Sequence, residues 1–148
     1  MADAFAYRRR VEFADTDTAG MSHFTSLFRY MEEAEHAFYR SLGAVAFEWR
    51  EDGVVGMPRV AVSGEFLAPV RYGDEVEVRL IVRRVGTKSI HYAVEIARMA
   101  PGDPVAVARG TMTVVFAARR HGEREYVGVE LPKGLRARLE AVRDGEPG

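Results

Sequence analysis

The chain has 148 residues, 47% hydrophobic and 29% charged, with a net charge of −1. That length supports one domain, residues 1–148, able to bury roughly 70% of its unfolded surface, and the charge balance excludes a bulk polyanion binder. The absence of cysteine excludes disulfide frameworks and thiolate metal sites; without an apolar run of membrane length or a signal segment, no stable membrane insertion is expected and the cytoplasm is the default compartment.

Residues 1–5 and 144–148 read as frayed ends. Residues 7–14 alternate loosely (Tyr7, Val11, Phe13) and predict a strand. From 23 to 42 the apolar positions Phe24, Leu27, Phe28, Met31, Ala34, Phe38 and Leu42 step by three and four, which predicts an amphipathic helix. Arg40 in its last turn complements the dipole, and Gly43 suits the position just past its end. Residues 45–51 predict a short helical turn. Four strand-like runs follow Gly56, at 59–69, 75–85, 88–99 and 104–117, parted by Tyr72-Gly73-Asp74, Gly86-Thr87 and Pro101-Gly102-Asp103. In the second, Val76, Val78, Leu80 and Val82 alternate with Glu75, Glu77, Arg79 and Ile81. A short strand at 124–129 precedes a helix with Pro132 near its start and Leu135, Leu139 and Val142 on its apolar stripe. The order of strand, long helix and antiparallel meander is an α+β pattern, with the helix lying on one face of a curled sheet. The sheet's other face and its edges require cover, which predicts a homo-oligomer, dimer or tetramer.

The chemistry concentrates where the first strand runs into Asp15-Thr16-Asp17-Thr18-Ala19-Gly20, just before the long helix. Unsatisfied N–H groups at a helix start form an anion site, so Asp17 lies beside a ready acceptor of developing negative charge. A calcium loop fits poorly: Ala19 and Ser26 occupy the fifth and twelfth loop positions, where ligands are needed. An aspartyl phosphatase requires Thr or Val where Ala19 stands, and a parallel sheet that the antiparallel pattern contradicts.

The segment resembles the hotdog-fold thioesterases of the 4-hydroxybenzoyl-CoA thioesterase family, including the acyl-CoA thioesterases associated with the Tol–Pal system. The likeness rests on Phe13-Ala14-Asp15-Thr16-Asp17-Thr18-Ala19-Gly20 and on Phe28-Arg29-Tyr30-Met31-Glu32-Glu33-Ala34 in the helix. It extends through Gly56-Met57-Pro58, Phe66, Tyr72-Gly73-Asp74 and Lys88-Ser89. It implies a curled antiparallel sheet wrapped around one long helix, and hydrolysis of an acyl-CoA thioester in sites shared across a dimer. Coenzyme A enters as part of substrate and product, with no separate cofactor and no metal. Asp17 then acts as nucleophile, through a mixed anhydride, or as general base on water. The Phe24 backbone N–H becomes the oxyanion donor, while Asp15 reads as a turn-former. Many relatives carry a Tyr-His pair before the helix, whereas here the order is His23-Phe24. His23 is accordingly either a catalytic assistant or a helix-start side chain bonded to backbone. A non-catalytic acyl-CoA or acyl-carrier binding protein of the same fold is the alternative, and a hotdog dehydratase fits less well.

The remaining candidates each have a plainer reading. Arg83, Arg84 and Lys88 around the Gly86-Thr87 turn suit coenzyme A phosphates or a solvated strand edge. Glu32 is either a pocket carboxylate or one of a solvated set with Glu33 and Glu35. Arg59, Ser63 and Trp49 are candidates to line the acyl pocket from the neighbouring subunit, or simple packing or surface residues. His36, His91 and His121 are too dispersed for a metal site, and the matched basic and acidic residues give nucleic acid no footprint.

Overall fold

The computed structural model describes residues 4–143. Of the ends expected to fray, 1–3 and 144–148 lie outside the described residues, whereas Phe5 already stands in a strand. The apolar-periodic segment folds as α1, Phe24–Ser41, burying Leu27, Tyr30, Met31, Ala34 and Phe38 on one face. Its end is set by Gly43 at φ 68°, a left-handed conformation suited to glycine, with Ala44 N–H closing onto the Tyr39 carbonyl at 2.8 Å.

A five-stranded antiparallel sheet wraps α1. Its strands are β1 (Phe5–Arg10), β4 (Arg59–Phe66), β5 (Glu75–Val85), β6 (Ser89–Ala100) and β7 (Val105–Val115). Their order is β1-β5-β6-β7-β4. Strands β5 to β7 form the expected meander, but β4 joins outside β7 and becomes an edge. The period-two pattern of β5 buries Val76, Val78, Leu80 and Val82 against the helix. Tyr39 and Tyr92, both buried, donate and accept one hydroxyl hydrogen bond at 3.1 Å inside this core.

A smaller sheet, β2 (Phe47–Arg50), β3 (Gly53–Gly56), β8 (Ala117–Arg120) and β9 (Val127–Gly128), continues from the ends of β4 and β7. Residues 45–51 are therefore not a helical turn: Phe47–Arg50 pairs with Gly53–Gly56, so a tight reversal replaces local helix bonding. Of the strand expected at 124–129, only Val127 and Gly128 pair. The first strand is also displaced, ending at Arg10, because residues 13–15 close a 3-10 turn. α2, Lys133–Ala141, docks through Leu135 and Leu139, with Pro132 at its N-cap. Among the described residues no helix is long and apolar enough to cross a membrane.

The link between β4 and β5, residues 67–74, crosses the sheet end and lies against the loop before α1. Ser22 N–H reaches the Val70 carbonyl at 2.7 Å, and Gly73 N–H the Val11 carbonyl at 2.9 Å. The crossover thus positions the Asp17 loop. Leu80→Ala should lower the unfolding free energy by about 2–5 kcal/mol, read as a shifted urea midpoint at constant slope. Arg79→Ala, on the exposed face, should move it by about 0.5 kcal/mol or less.

Candidate active site

Asp15 is the most heavily engaged side chain near the helix mouth. Its Oδ2 accepts from Arg9 Nη2 at 2.7 Å, the Glu12 N–H at 2.9 Å and the Tyr30 hydroxyl at 2.8 Å. Its Oδ1 accepts from Arg29 Nη2. Burial alone would raise its pKa, but the Glu12 amide, Tyr30, Arg9 and Arg29 together hold the carboxyl below the usual carboxylate range. Burial, with Asp15 as acceptor, pushes the Tyr30 phenol upward, so it serves as a donor. Arg9 also lies over the Tyr30 ring at 4.2 Å and pairs with Glu33 at 2.6 Å. Within Arg8-Arg9-Arg10, strand alternation half-buries Arg9 and sends the outer two to Glu77 and Glu75 of β5.

The Asp15 backbone carbonyl ties this cluster to α1, accepting the His23 N–H at 2.7 Å and the Ser26 hydroxyl at 2.9 Å. Asp15 therefore does more than form a turn. It fixes β1, the loop and the helix start relative to one another.

Two residues on, Asp17 closes its own loop: Oδ1 accepts the Ala19 N–H at 2.8 Å and the Met21 N–H at 3.3 Å. Gly20 turns the chain at φ 78°, and Asp17 N–H returns to the Met21 carbonyl at 2.8 Å. Oδ2 of Asp17 makes no hydrogen bond among the described residues. Asp17 lines a cleft of roughly 400 Å³ with Phe24, Leu27, Phe66 and Leu67. The first turn of α1 borders that cleft. Its Thr25 N–H goes to His23 Nδ1 at 3.3 Å and its Ser26 N–H to the His23 carbonyl at 2.9 Å. The Phe24 N–H has no acceptor among the described residues, as a first helical amide need not. Asp17 and the residue that carries the open helix-start amide thus line one largely apolar cleft.

Of the sequence-predicted residues, the structure brings Asp17 and Phe24 together. His23 lies next to them as the helix N-cap, its exposed ring packed on Phe24 at 4.6 Å and outside the residues lining the cleft. Glu32, farther along α1, is exposed and pairs with Arg59 of β4 at 3.2 Å. Glu35, expected in a solvated set, is instead buried, because Arg59 Nη2 supplies a partner at 2.6 Å. Burial raises its carboxyl, and Arg59 partly offsets that. Ser63 bonds Thr111 at 2.6 Å and borders a different hollow, with Glu95 and Arg109. Trp49 stacks on His121 at 6.1 Å on the small sheet. Arg83 and Arg84 end β5 and Lys88 precedes β6, at the end of β5 remote from the Asp17 loop. Arg136 of α2 braces that turn, reaching the Gly86 and Thr87 carbonyls at 2.5 and 3.0 Å.

Sequence reading missed Arg9, Arg29 and Tyr30 as partners of Asp15. The one available signal was a strand arginine alternating inward, facing a motif carboxylate.

A curled sheet around one helix, with a carboxylate loop at the helix mouth, is the architecture of a hotdog-fold thioesterase. The chain belongs to the Thioesterase-like superfamily, whose family profile matches residues 11–139. It is 27% identical over 136 residues to the 4-hydroxybenzoyl-CoA thioesterase of Pseudomonas sp. strain CBS-3, spanning 89% of this chain and 94% of that one. It is 28% identical over 140 residues to a 1,4-dihydroxy-2-naphthoyl-CoA hydrolase of Thermosynechococcus vestitus, spanning 95% and 94%. In three dimensions it matches the dynemicin thioesterase with a TM-score of 0.84 and 26% identity, over 97% of this chain and 100% of that one.

Asp15→Asn tests the cluster. Because the folded carboxyl titrates below its unfolded value of about 4, its stabilisation is complete above that pH and is lost as pH falls through the folded value. The variant should lose about 2–4 kcal/mol at pH 7, and the wild-type advantage should shrink in acid. Urea unfolding across pH reads both; a difference independent of pH would contradict the ion-pair account.

Proposed function

We propose that the chain hydrolyses an acyl-CoA thioester, with Asp17 as nucleophile or general base and the Phe24 N–H as oxyanion donor. The observation that carries this reading is the shared cleft, lined by both Asp17 and Phe24, the first residue of α1. The substrate class comes from the relatives, two of which are named for acyl-CoA hydrolysis.

The chemistry follows from the two groups. The thioester carbonyl lies with its oxygen toward the Phe24 N–H, where the helix dipole stabilises the negative charge that develops on attack. As nucleophile, Asp17 bonds the acyl carbon, the C–S bond breaks, and the thiolate leaves with the electron pair. Water then cleaves the mixed anhydride, releasing the acid and regenerating Asp17. As general base, Asp17 takes a proton from water as that water attacks, and the thiolate leaves from the resulting intermediate. The two N–H bonds to Oδ1 hold the carboxylate's orientation in either case. His23 is read as a cap that shapes the helix start, since its Nδ1 is spent on Thr25.

The enzyme is read as a homo-oligomer. β4 is an edge strand exposed along most of its length, with Val60, Val62 and Phe66 open. Arg84 and Lys88 are exposed at the end of β5 remote from Asp17, a strand of about 35 Å. Coenzyme A phosphates would therefore meet the basic turn of a second copy, with Arg83 belonging to the same turn.

Asp17→Asn should lower turnover by orders of magnitude across a panel of aliphatic and aromatic acyl-CoAs, with circular dichroism unchanged. Near-normal hydrolysis would overturn the assignment. His23→Asn, which keeps a capping acceptor, should leave turnover little changed; a collapse like that of Asp17→Asn would make His23 catalytic. Sedimentation velocity should give a dimer or tetramer, and an active monomer would contradict the shared site.

A further inference from the structure

Three spaces lie end to end along one stripe of α1. Phe24 and Leu27 border the Asp17 cleft. Leu27, Phe28 and Met31 border a void of only about 10 Å³ against β4, at the limit for one water molecule. Glu32, Glu35 and His36 border a second open cavity of about 530 Å³ with Met57 and Arg59. Steps of three and four put all of these on one helical face. β4 runs back alongside it: Phe66 lines the Asp17 cleft, Gly64 meets Phe28, and Arg59 meets Glu32 and Glu35. One seam between α1 and β4 therefore leads away from Asp17, interrupted where the Phe28 ring fills it.

That interruption depends on a particular pair. A Cβ at Gly64 would come within 3.2 Å of the Phe28 ring, so the missing side chain is what seats the ring against the strand. Phe28 also meets Phe66 edge-on, with centroids 6.3 Å apart. The ring stands one helical turn, about 6 Å, beyond Phe24.

We infer that Phe28 sets the length of acyl group the site accepts, closing the seam between the Asp17 cleft and the larger cavity toward Glu35. The inference rests on the reading of Asp17 as the reacting carboxylate. An acyl group attached at Asp17 and laid along α1 has about one turn of the helix before its end meets the ring. Removing the ring enlarges the void beside it, in the direction of Glu35, which lies about 10 Å farther along the helix. The void is lined in part by Met31, and the far end of the seam is closed by the charged Arg59–Glu35 pair. Short acyl groups and a single aromatic ring fit the native depth; extended chains do not.

The test compares wild type, Phe28→Leu and Phe28→Ala with straight-chain acyl-CoAs from acetyl to dodecanoyl. Both kcat/KM and, on an Asp17→Asn background, calorimetric affinity are measured. In the native depth each methylene should add roughly three- to fourfold in affinity and then cease to add. Phe28→Ala should extend that rise by several methylenes, and Phe28→Leu by fewer, while acetyl-CoA and butyryl-CoA are handled much as before. A length profile that keeps its wild-type plateau, or a uniform loss at every length, would overturn the inference and leave Phe28 a packing residue. The binding arm reads the plateau without turnover, so absence of hydrolysis by wild type would count against Asp17 while affinity still decides Phe28.

Discussion

One buried carboxylate holds together the parts on which the site depends. Asp15 receives four donors from β1, the loop and α1, and its backbone carbonyl receives two more from the N-cap and first turn of α1. A charge so placed is costly unless every lone pair is used, and here the set of donors is complete enough to depress its pKa. The cluster removes the freedom of the loop to slide along the helix. Asp17, only two residues later, inherits that rigidity.

The division of labour between the two aspartates follows from their surroundings. Asp15 is surrounded by cations and a phenol and is buried; Asp17 is bound by two loop amides on one oxygen and borders the apolar cleft. The helix contributes its first amide because His23 satisfies the next two and leaves Phe24 open. Under the proposed mechanism, capping and catalysis are aspects of one local arrangement. The crossover at 67–74 completes it by walling the cleft with Leu67, Ala68 and Val70, beside Phe66 at the end of β4. A single element, α1, then carries both the polar mouth and the apolar stripe along which the acyl group is proposed to lie.

Much of this was legible in the residues. The three- and four-residue steps from Phe24 to Leu42 located α1 to within a residue at each end, and the alternation from Val76 to Val82 located β5 and its inner face. These patterns are strong because burial of a whole face enforces them. What was not legible depended on long-range pairing. Residues 45–51 became a strand because Gly53–Gly56 offered a partner. β4 moved outside β7 because the chain crosses the sheet end before β5. At the site, Asp17 and Phe24 are close in sequence and were readable together. Arg9 with Asp15, and Arg59 with Glu35, meet through tertiary packing that no local spacing encodes. Glu35 was misassigned to solvent because its partner Arg59 comes from a strand 24 residues away.

The central claim is that a thioester sits with its carbonyl between Asp17 and the start of α1. The direct measurement is a crystal structure of Asp17→Asn with an uncleaved acyl-CoA. The expected result is the thioester oxygen within hydrogen-bond distance of the Phe24 N–H, with its carbonyl carbon facing residue 17. A thioester bound elsewhere, or one whose oxygen meets His23 or water while the Phe24 amide stays unused, would contradict it.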